Sequence, residues 1–280
     1  MTVANITTIG SSPFDIFINT NNTIYVPNQD TGQIIVWSEG NLTSTRNISG
    51  NLLNSSSLFV TTTGDIYVDT FHTIGGVSQI TLNLTIHIPT MNICQQCWDI
   101  FININNVLYC LLSERHQIIA KSLNNDLNLL TIVGGTGSAG STSTTLHNPR
   151  GIFVGNTLNL YVADCGNNRI QLFPSGKLSA TTIVGNGSLN ITITLNCPTS
   201  IILDGNNYLF IVDSGNNRIV GSNANGFRCI IGCSGSSGSA SYQLNHPWAV
   251  SFDNYSNIFV SDQGNNRIQK FSVMTDPCGK

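Results

Sequence analysis

Apolar residues in this chain come in runs of about three to six, bounded mostly by small polar residues, Gly or Pro. Three of them, Leu160-Tyr161-Val162, Phe210-Ile211-Val212 and Ile258-Phe259-Val260, lead into the same segment, Asp-x-Gly-Asn-Asn-Arg-Ile. The copies lie at Asp164–Ile170, Asp213–Ile219 and Asp262–Ile268, 49 residues apart. A proline stands 15 residues before each Asp: Pro149, Pro198 and Pro247. After the motif comes another apolar run, and then a fourth that ends in Gly, as in Leu130–Gly134 and Thr181–Gly185. Four short β-type runs per repeat, separated by Gly and Asn turns, predict a four-stranded propeller blade. No window of helical periodicity with good helix formers interrupts them.

The first half of the chain fits the same template with its motif worn away. Pro13-Phe14-Asp15-Ile16-Phe17-Ile18 aligns with Pro149-Arg150-Gly151-Ile152-Phe153-Val154. Ile24-Tyr25-Val26 follows as a second strand, with Asn28 at the Asp position and Gln33 at the Arg position. A second repeat opens at Ser55 and runs through Ile66-Tyr67-Val68 into a longer turn, Asp69 to Ser78. A third opens at Cys97-Trp98-Asp99 and places Leu112 where Asp is expected. Repeat starts near 13, 55, 97, 149, 198 and 247 make residues 1–280 a single domain of six repeats. The last repeat has only three strands, while Asn5–Gly10 reads as a spare fourth. The N-terminal strand is therefore expected to complete the last blade and close the ring, which removes two sheet edges. The predicted fold is all-β, a six-bladed propeller of four-stranded antiparallel blades.

The run Tyr161-Val162-Ala163-Asp164-Cys165-Gly166-Asn167-Asn168-Arg169-Ile170 resembles the NHL-repeat family, strongly over residues 149–273 and in degenerate form before 149. That resemblance implies a six-bladed propeller, in agreement with the count. Asp164, Asn168 and Arg169, with Asp213, Asn217, Arg218, Asp262, Asn266 and Arg267, then read as a structural set. A catalytic centre needs different residues in different roles, whereas these repeat identically. Asp at a strand end accepts turn N–H groups, Asn tolerates a left-handed backbone, and Arg pairs with carboxylate or carbonyl oxygen.

Composition narrows the function. Charged residues are 9% of the chain, against a usual figure of about 25%. The formal charge of −3 and scattered Lys and Arg offer no footprint for nucleic acid. No run of about 18 apolar residues predicts membrane insertion within this chain. Met1–Asn5 lacks the basic and apolar regions of a leader, so the chain is expected to be a fragment of a larger precursor. Eight cysteines favour disulfides and an extracellular setting, with connectivity open. Cys94-x-x-Cys97 also suggests zinc, but no partner pair follows at ligand spacing. Nine sequons, at Asn5, Asn21, Asn41, Asn47, Asn54, Asn83, Asn186, Asn190 and Asn254, permit a glycoprotein without demonstrating one, because Asn, Ser and Thr are abundant.

Binding is expected where the repeats differ. In a meander, the second-to-third turns and the blade-to-blade connections emerge on one face. The positions just after each repeat start lie on that face and carry Phe14, Ser56, Trp98, Arg150, Thr199 and Trp248. Trp and Arg are over-represented at binding hot spots, although Trp also packs blade interfaces. The connections Gly134–Asn148, Gly185–Cys197 and Gly232–His246 are long, two are rich in Gly, Ser and Thr, and these are expected to be mobile. A Cys229–Cys233 bridge would restrain the third, unless either cysteine reaches Cys278. The reading that follows is a non-catalytic module, with no cofactor, that recognises a protein or glycan ligand. The alternative is an enzyme like the amidating lyases or lactonases, with zinc or calcium in the channel. For that, His72, His87, His116, His147 and His246 form no repeated set, and Glu occurs only at Glu39 and Glu114. No catalytic or metal-ligating residue is assigned.

Overall fold

A computed structural model describes residues 1–41, 43–49, 52–53, 55–70, 76–80, 87–93, 95–124, 129–189 and 193–272, without the side chains of Ile6 and His87. Six four-stranded antiparallel sheets stand around an axis. The inner strands are β2 (Phe17–Ile18), β6 (Leu58–Val60), β10 (Asp99–Ile102), β14 (Gly151–Val154), β18 (Pro198–Leu203) and β22 (Pro247–Phe252), and each touches its neighbours round the ring. Burial explains the residue types. Second strands such as β3 (Ile24–Asn28) and β7 (Ile66–Asp69) lie between adjacent blades and are buried at every position. They therefore read as continuous apolar runs rather than alternating ones. Outermost strands such as β13 (Thr131–Gly134) are mostly exposed. Six apolar clusters fill the six seams; one joins Ile16, Ile18 and Trp37 of the first blade to Ala249, Phe259 and Ile268 of the last.

The repeated polar residues hold the connections. Asp164 is fully buried; its Oδ1 accepts the His147 N–H at 2.7 Å, and its Oδ2 accepts Arg169 Nε at 2.7 Å and Asn167 Nδ2 at 2.8 Å. Arg169 spends its remaining donors on the carbonyls of Ser141, Thr142 and Thr145. Arg267 repeats this with Asp262 and the carbonyls of Ser239, Ala240 and Gln243. Arg218 pairs with Asp213 at 2.7 Å and reaches Thr194 O. The connections expected to be mobile are thus tied to buried ion pairs. Glycine-rich composition gave no hint of this, because the restraint comes from an arginine 24 to 28 residues away.

After the Asp, one turn of 3-10 helix ends in a left-handed residue: His116, Asn168, Asn217 or Asn266, with φ between 50° and 54°. Asn adopts this region more readily than most residues. Each side chain then accepts a backbone N–H from the next blade. Asn168 Oδ1 takes Cys197 at 2.8 Å, Asn217 Oδ1 takes His246 at 2.9 Å, Asn266 Oδ1 takes Ser12 at 2.7 Å, and His116 Nδ1 takes Asn148 at 3.1 Å. All four donor residues precede a proline and have positive φ, between 44° and 51°. Proline disfavours helical geometry in the residue before it, and the clamps hold this one in place. Gly166 is required in the same turn, since a Cβ there would stand 2.6 Å from His147 O.

The N-terminal strand does close the ring, in a different register from that expected. Strand β1 is Thr2–Asn5, paired antiparallel with β24 (Arg267–Phe271). Met1 and Lys270 exchange two further hydrogen bonds of 2.8 Å. Ile6–Ile9, read from the sequence as part of that strand, is one helical turn. Asn5 Oδ1 accepts the Thr7 N–H and hydroxyl, which caps the turn, and Ile9 is driven fully into the seam between last and first blades.

Two outcomes test this account. Deleting residues 1–5 bares the β24 edge. Thermal unfolding should fall by roughly 5 °C or more, at 2–4 °C per kcal/mol, and size-exclusion chromatography should show concentration-dependent association. Asp164→Ala strands Arg169 in a buried site and should cost roughly 3–5 kcal/mol in urea unfolding. Asp164→Ala with Arg169→Met should cost less than Asp164→Ala alone.

Candidate functional site

Upper denotes the face that carries the Asp-x-Gly-Asn-Asn turns. The residue just after each repeat start reaches the axis at this end, and Phe14, Ser56, Trp98, Arg150, Thr199 and Trp248 all line one space there. The sequence-selected residues therefore do converge. They meet one another across the axis, while Trp248 and Trp98 also pack against the apolar clusters of two seams. Phe14 packs edge-on against Trp248 at 4.9 Å and Trp98 at 6.5 Å between ring centroids. The Arg150 guanidinium lies 4.3 Å from the Trp98 ring centre and 5.6 Å from that of Trp248. Phe14, Trp98, Arg150 and Trp248 are half-buried, so each keeps an outward surface. Ser56 and Thr199 are buried, and their hydroxyls donate to Cys97 O and Trp248 O. Thr199 thus positions Trp248 and presents nothing outward. The volume enclosed among these residues is about 20 Å³, so this end of the axis is plugged.

Arg150 makes no ion pair among the described residues. Burial pulls its pKa down, and the Glu114 charge opposes that. A guanidinium stacked on two indoles with no carboxylate partner is a cation held ready by its surroundings.

One residue deeper lie Asp15 and Asp99. Asp15 Oδ2 accepts the Leu58 N–H of the next blade at 2.9 Å, and Asp99 Oδ2 accepts that of Ile152 at 2.7 Å. Ser57 Oγ joins Asp99 Oδ1 at 3.3 Å and accepts the Ile100 N–H. These side chains staple inner strand to inner strand beneath the plug, a role their positions in the sequence did not reveal. Burial raises the Asp15 pKa to about 6 against the pull of its backbone donors, and raises Asp99 well above the usual carboxylate range, helped by the Asp15 charge.

The three disulfides and the His116–His147 pair serve structure. Cys97–Cys110 joins β10 to β11 (Val107–Leu112), Cys165–Cys197 ties the fourth blade to the fifth, and Cys229–Cys233 closes a short loop. Cys97 is spent in a disulfide, so Cys94-x-x-Cys97 is not a zinc pair. Cys94, Cys278 and His72 lie outside the described residues. His116 and His147 stack at 5.7 Å, and His116 Nδ1 is taken by the blade clamp. Among the described residues no three His, Cys, Asp or Glu side chains gather as a metal site.

The opposite, lower end of the axis is open. A cavity of about 770 Å³ is lined by the first-to-second-strand hairpins of the first three blades, with Phe17 and Phe59 on its inner wall. Phe17, Phe59, Phe101 and Phe153 occupy equivalent repeat positions, and successive rings pack at 5.0–5.2 Å. Sequence reasoning looked at the other face and missed this space. The only signal was a Phe at the fifth position of four repeats.

Residues 146–173 match the NHL repeat family model. No curated protein matches the chain. Solved structures with the same architecture include virginiamycin B lyase from Staphylococcus aureus, at 14% identity and TM-score 0.61, covering 98% of this chain and 88% of that one. A gluconolactonase from Xanthomonas campestris matches at 9% identity and TM-score 0.68, over 96% and 87% of the two chains. A protein of unknown function from Bacteroides thetaiotaomicron matches at 12% identity and TM-score 0.77, over 97% and 75%. At such identities the likeness is one of fold. The chain is a six-bladed β-propeller. One of its repeats, residues 146–173, is matched as an NHL repeat.

The folded-state pKa of Asp15 lies above the ordinary 3.8, so the folded chain holds this proton more tightly than the unfolded one. The stability that follows is present at low pH and is lost as pH rises through about 6. Asp15→Asn should therefore flatten the pH dependence of urea unfolding between pH 4 and 7 relative to the parent protein. An unchanged slope would remove Asp15 as its source.

Proposed function

We propose that this propeller is a non-catalytic binding module, the extracellular part of a larger protein, that engages a protein or glycan ligand on its upper face. The observation that carries the reading is the Arg150 guanidinium lying over Trp98 and beside Trp248 at the axis. Six equivalent positions hold five residue types there, which is the asymmetry that recognition needs. A plugged mouth favours a ligand that docks across it, with an acidic or hydrogen-bond-accepting group set against Arg150. Three disulfides support the extracellular assignment.

Trp98 and Trp248 pack Phe14 and Arg150, so truncating them should lower stability as well as binding. Arg150→Met keeps the stack and removes the charge, and is the discriminating change. On a glycan and protein array, capture by Arg150→Met should fall at least about tenfold, or 1.4 kcal/mol, with the unfolding midpoint within about 2 °C of the parent. Undiminished capture would overturn the assignment. The competing reading, a zinc- or calcium-dependent enzyme, predicts a stoichiometric ion in the untreated protein. Finding one by elemental analysis would reverse this proposal.

A further inference from the structure

The lower cavity has a chemistry of its own, independent of the upper mouth. Its volume, about 770 Å³, lies within the range of small-molecule sites, roughly 300–1,000 Å³. Only the first three blades line it, so the sixfold pattern is broken there as a ligand site requires. Its walls carry no Asp, Glu, Lys, Arg or His. They present instead the amides and hydroxyls of residues such as Asn21, Asn106, Thr62 and Tyr25, beside the aromatic carbon of Phe17 and Phe59.

Those walls select by exclusion. A charged ligand would give up hydration without meeting an opposite charge, at a cost of several kcal/mol. A purely apolar ligand would cover amide and hydroxyl groups that then lose their hydrogen bonds with water. A neutral polyhydroxylated ring meets both demands. Its hydroxyls exchange bonds with Asn and Thr, and its weakly positive C–H edges suit the negative face of an aromatic ring. We propose that the lower cavity is a carbohydrate site that takes a neutral oligosaccharide of a few rings.

The sugar has two possible sources, because Asn21 lines the cavity, is exposed, and begins the sequon Asn21-Asn22-Thr23. A glycan on Asn21 would start at the rim of the space.

The test is calorimetric and saturation-transfer NMR titration with neutral gluco-, manno- and chito-tetraoses, beside a sulfated tetrasaccharide and an acidic hexapeptide. Protein from a secreting eukaryotic host is used before and after enzymatic removal of N-glycans. At least one neutral tetraose should bind, and the two charged probes should not. Binding to both protein forms assigns the site to a foreign sugar; binding only after deglycosylation assigns it to the chain's own glycan. Thr62 is exposed on the wall, so Thr62→Glu should weaken binding at least tenfold without moving the unfolding midpoint. Phe59→Leu should weaken it by a smaller factor while keeping the fold apolar at that point. The proposal is overturned if no neutral tetraose binds deglycosylated protein at millimolar concentration, if the charged probes bind as well, or if Thr62→Glu leaves binding intact. Arg150→Met should not alter this titration, which separates failure here from failure at the upper mouth.

Discussion

A single hydrogen bond between neighbouring blades sets the geometry of the upper face. A left-handed residue at the end of the repeated turn accepts the N–H that precedes the next blade's proline. Two residues beyond each such N–H stands a mouth residue: Phe14 after Ser12, Arg150 after Asn148, Thr199 after Cys197 and Trp248 after His246. The proline between removes one rotational freedom. Clamp and proline together fix where four of the six axial side chains begin. Trp98 is placed by other means, since Cys97 is bonded to Cys110 and its N–H reaches Asp69 Oδ1 at 3.3 Å.

The Asp–Arg pairs work at a second level. A buried ion pair is weak evidence of stability on its own, yet here each arginine also donates to loop carbonyls, three each from Arg169 and Arg267 and one from Arg218. The long connections can therefore be glycine-rich in sequence and fixed in space. Because clamp and ion pair belong to the same turn, a blade's internal stability and its docking to the next blade are coupled. Blades one to three carry the degenerate motif; the third keeps the clamp through His116, and the first loses it. In the first, Asn28 replaces Asp and Gly32 occupies the clamp position, so that junction relies on other bonds, including Gln29 Nε2 to Ser55 O at 3.0 Å. The open lower cavity lies in these same degenerate blades.

The likeness to a lyase and a lactonase illustrates that a propeller is a frame on which unrelated sites are built. What this chain offers at its axis is a stacked cation above, stapled carboxyl groups beneath it, and an uncharged cavity below.

Residues alone determined the strand content, the number of blades, the all-β class and the ring, because each rests on period, alternation and turn chemistry that act over a few residues. They also marked the six positions that meet at the upper mouth, since equivalent repeat positions must fall on equivalent places around an axis. The tertiary structure decided what depends on contacts between distant segments. Residues 2–5 and not 5–10 supply the closing strand, since Asn5 caps a helical turn and Ile9 fits the seam. Arg169 and Arg267 immobilise loops that composition alone makes flexible. The lower cavity is a space between three hairpins, and no periodicity in a sequence records a space, only the atoms that surround it.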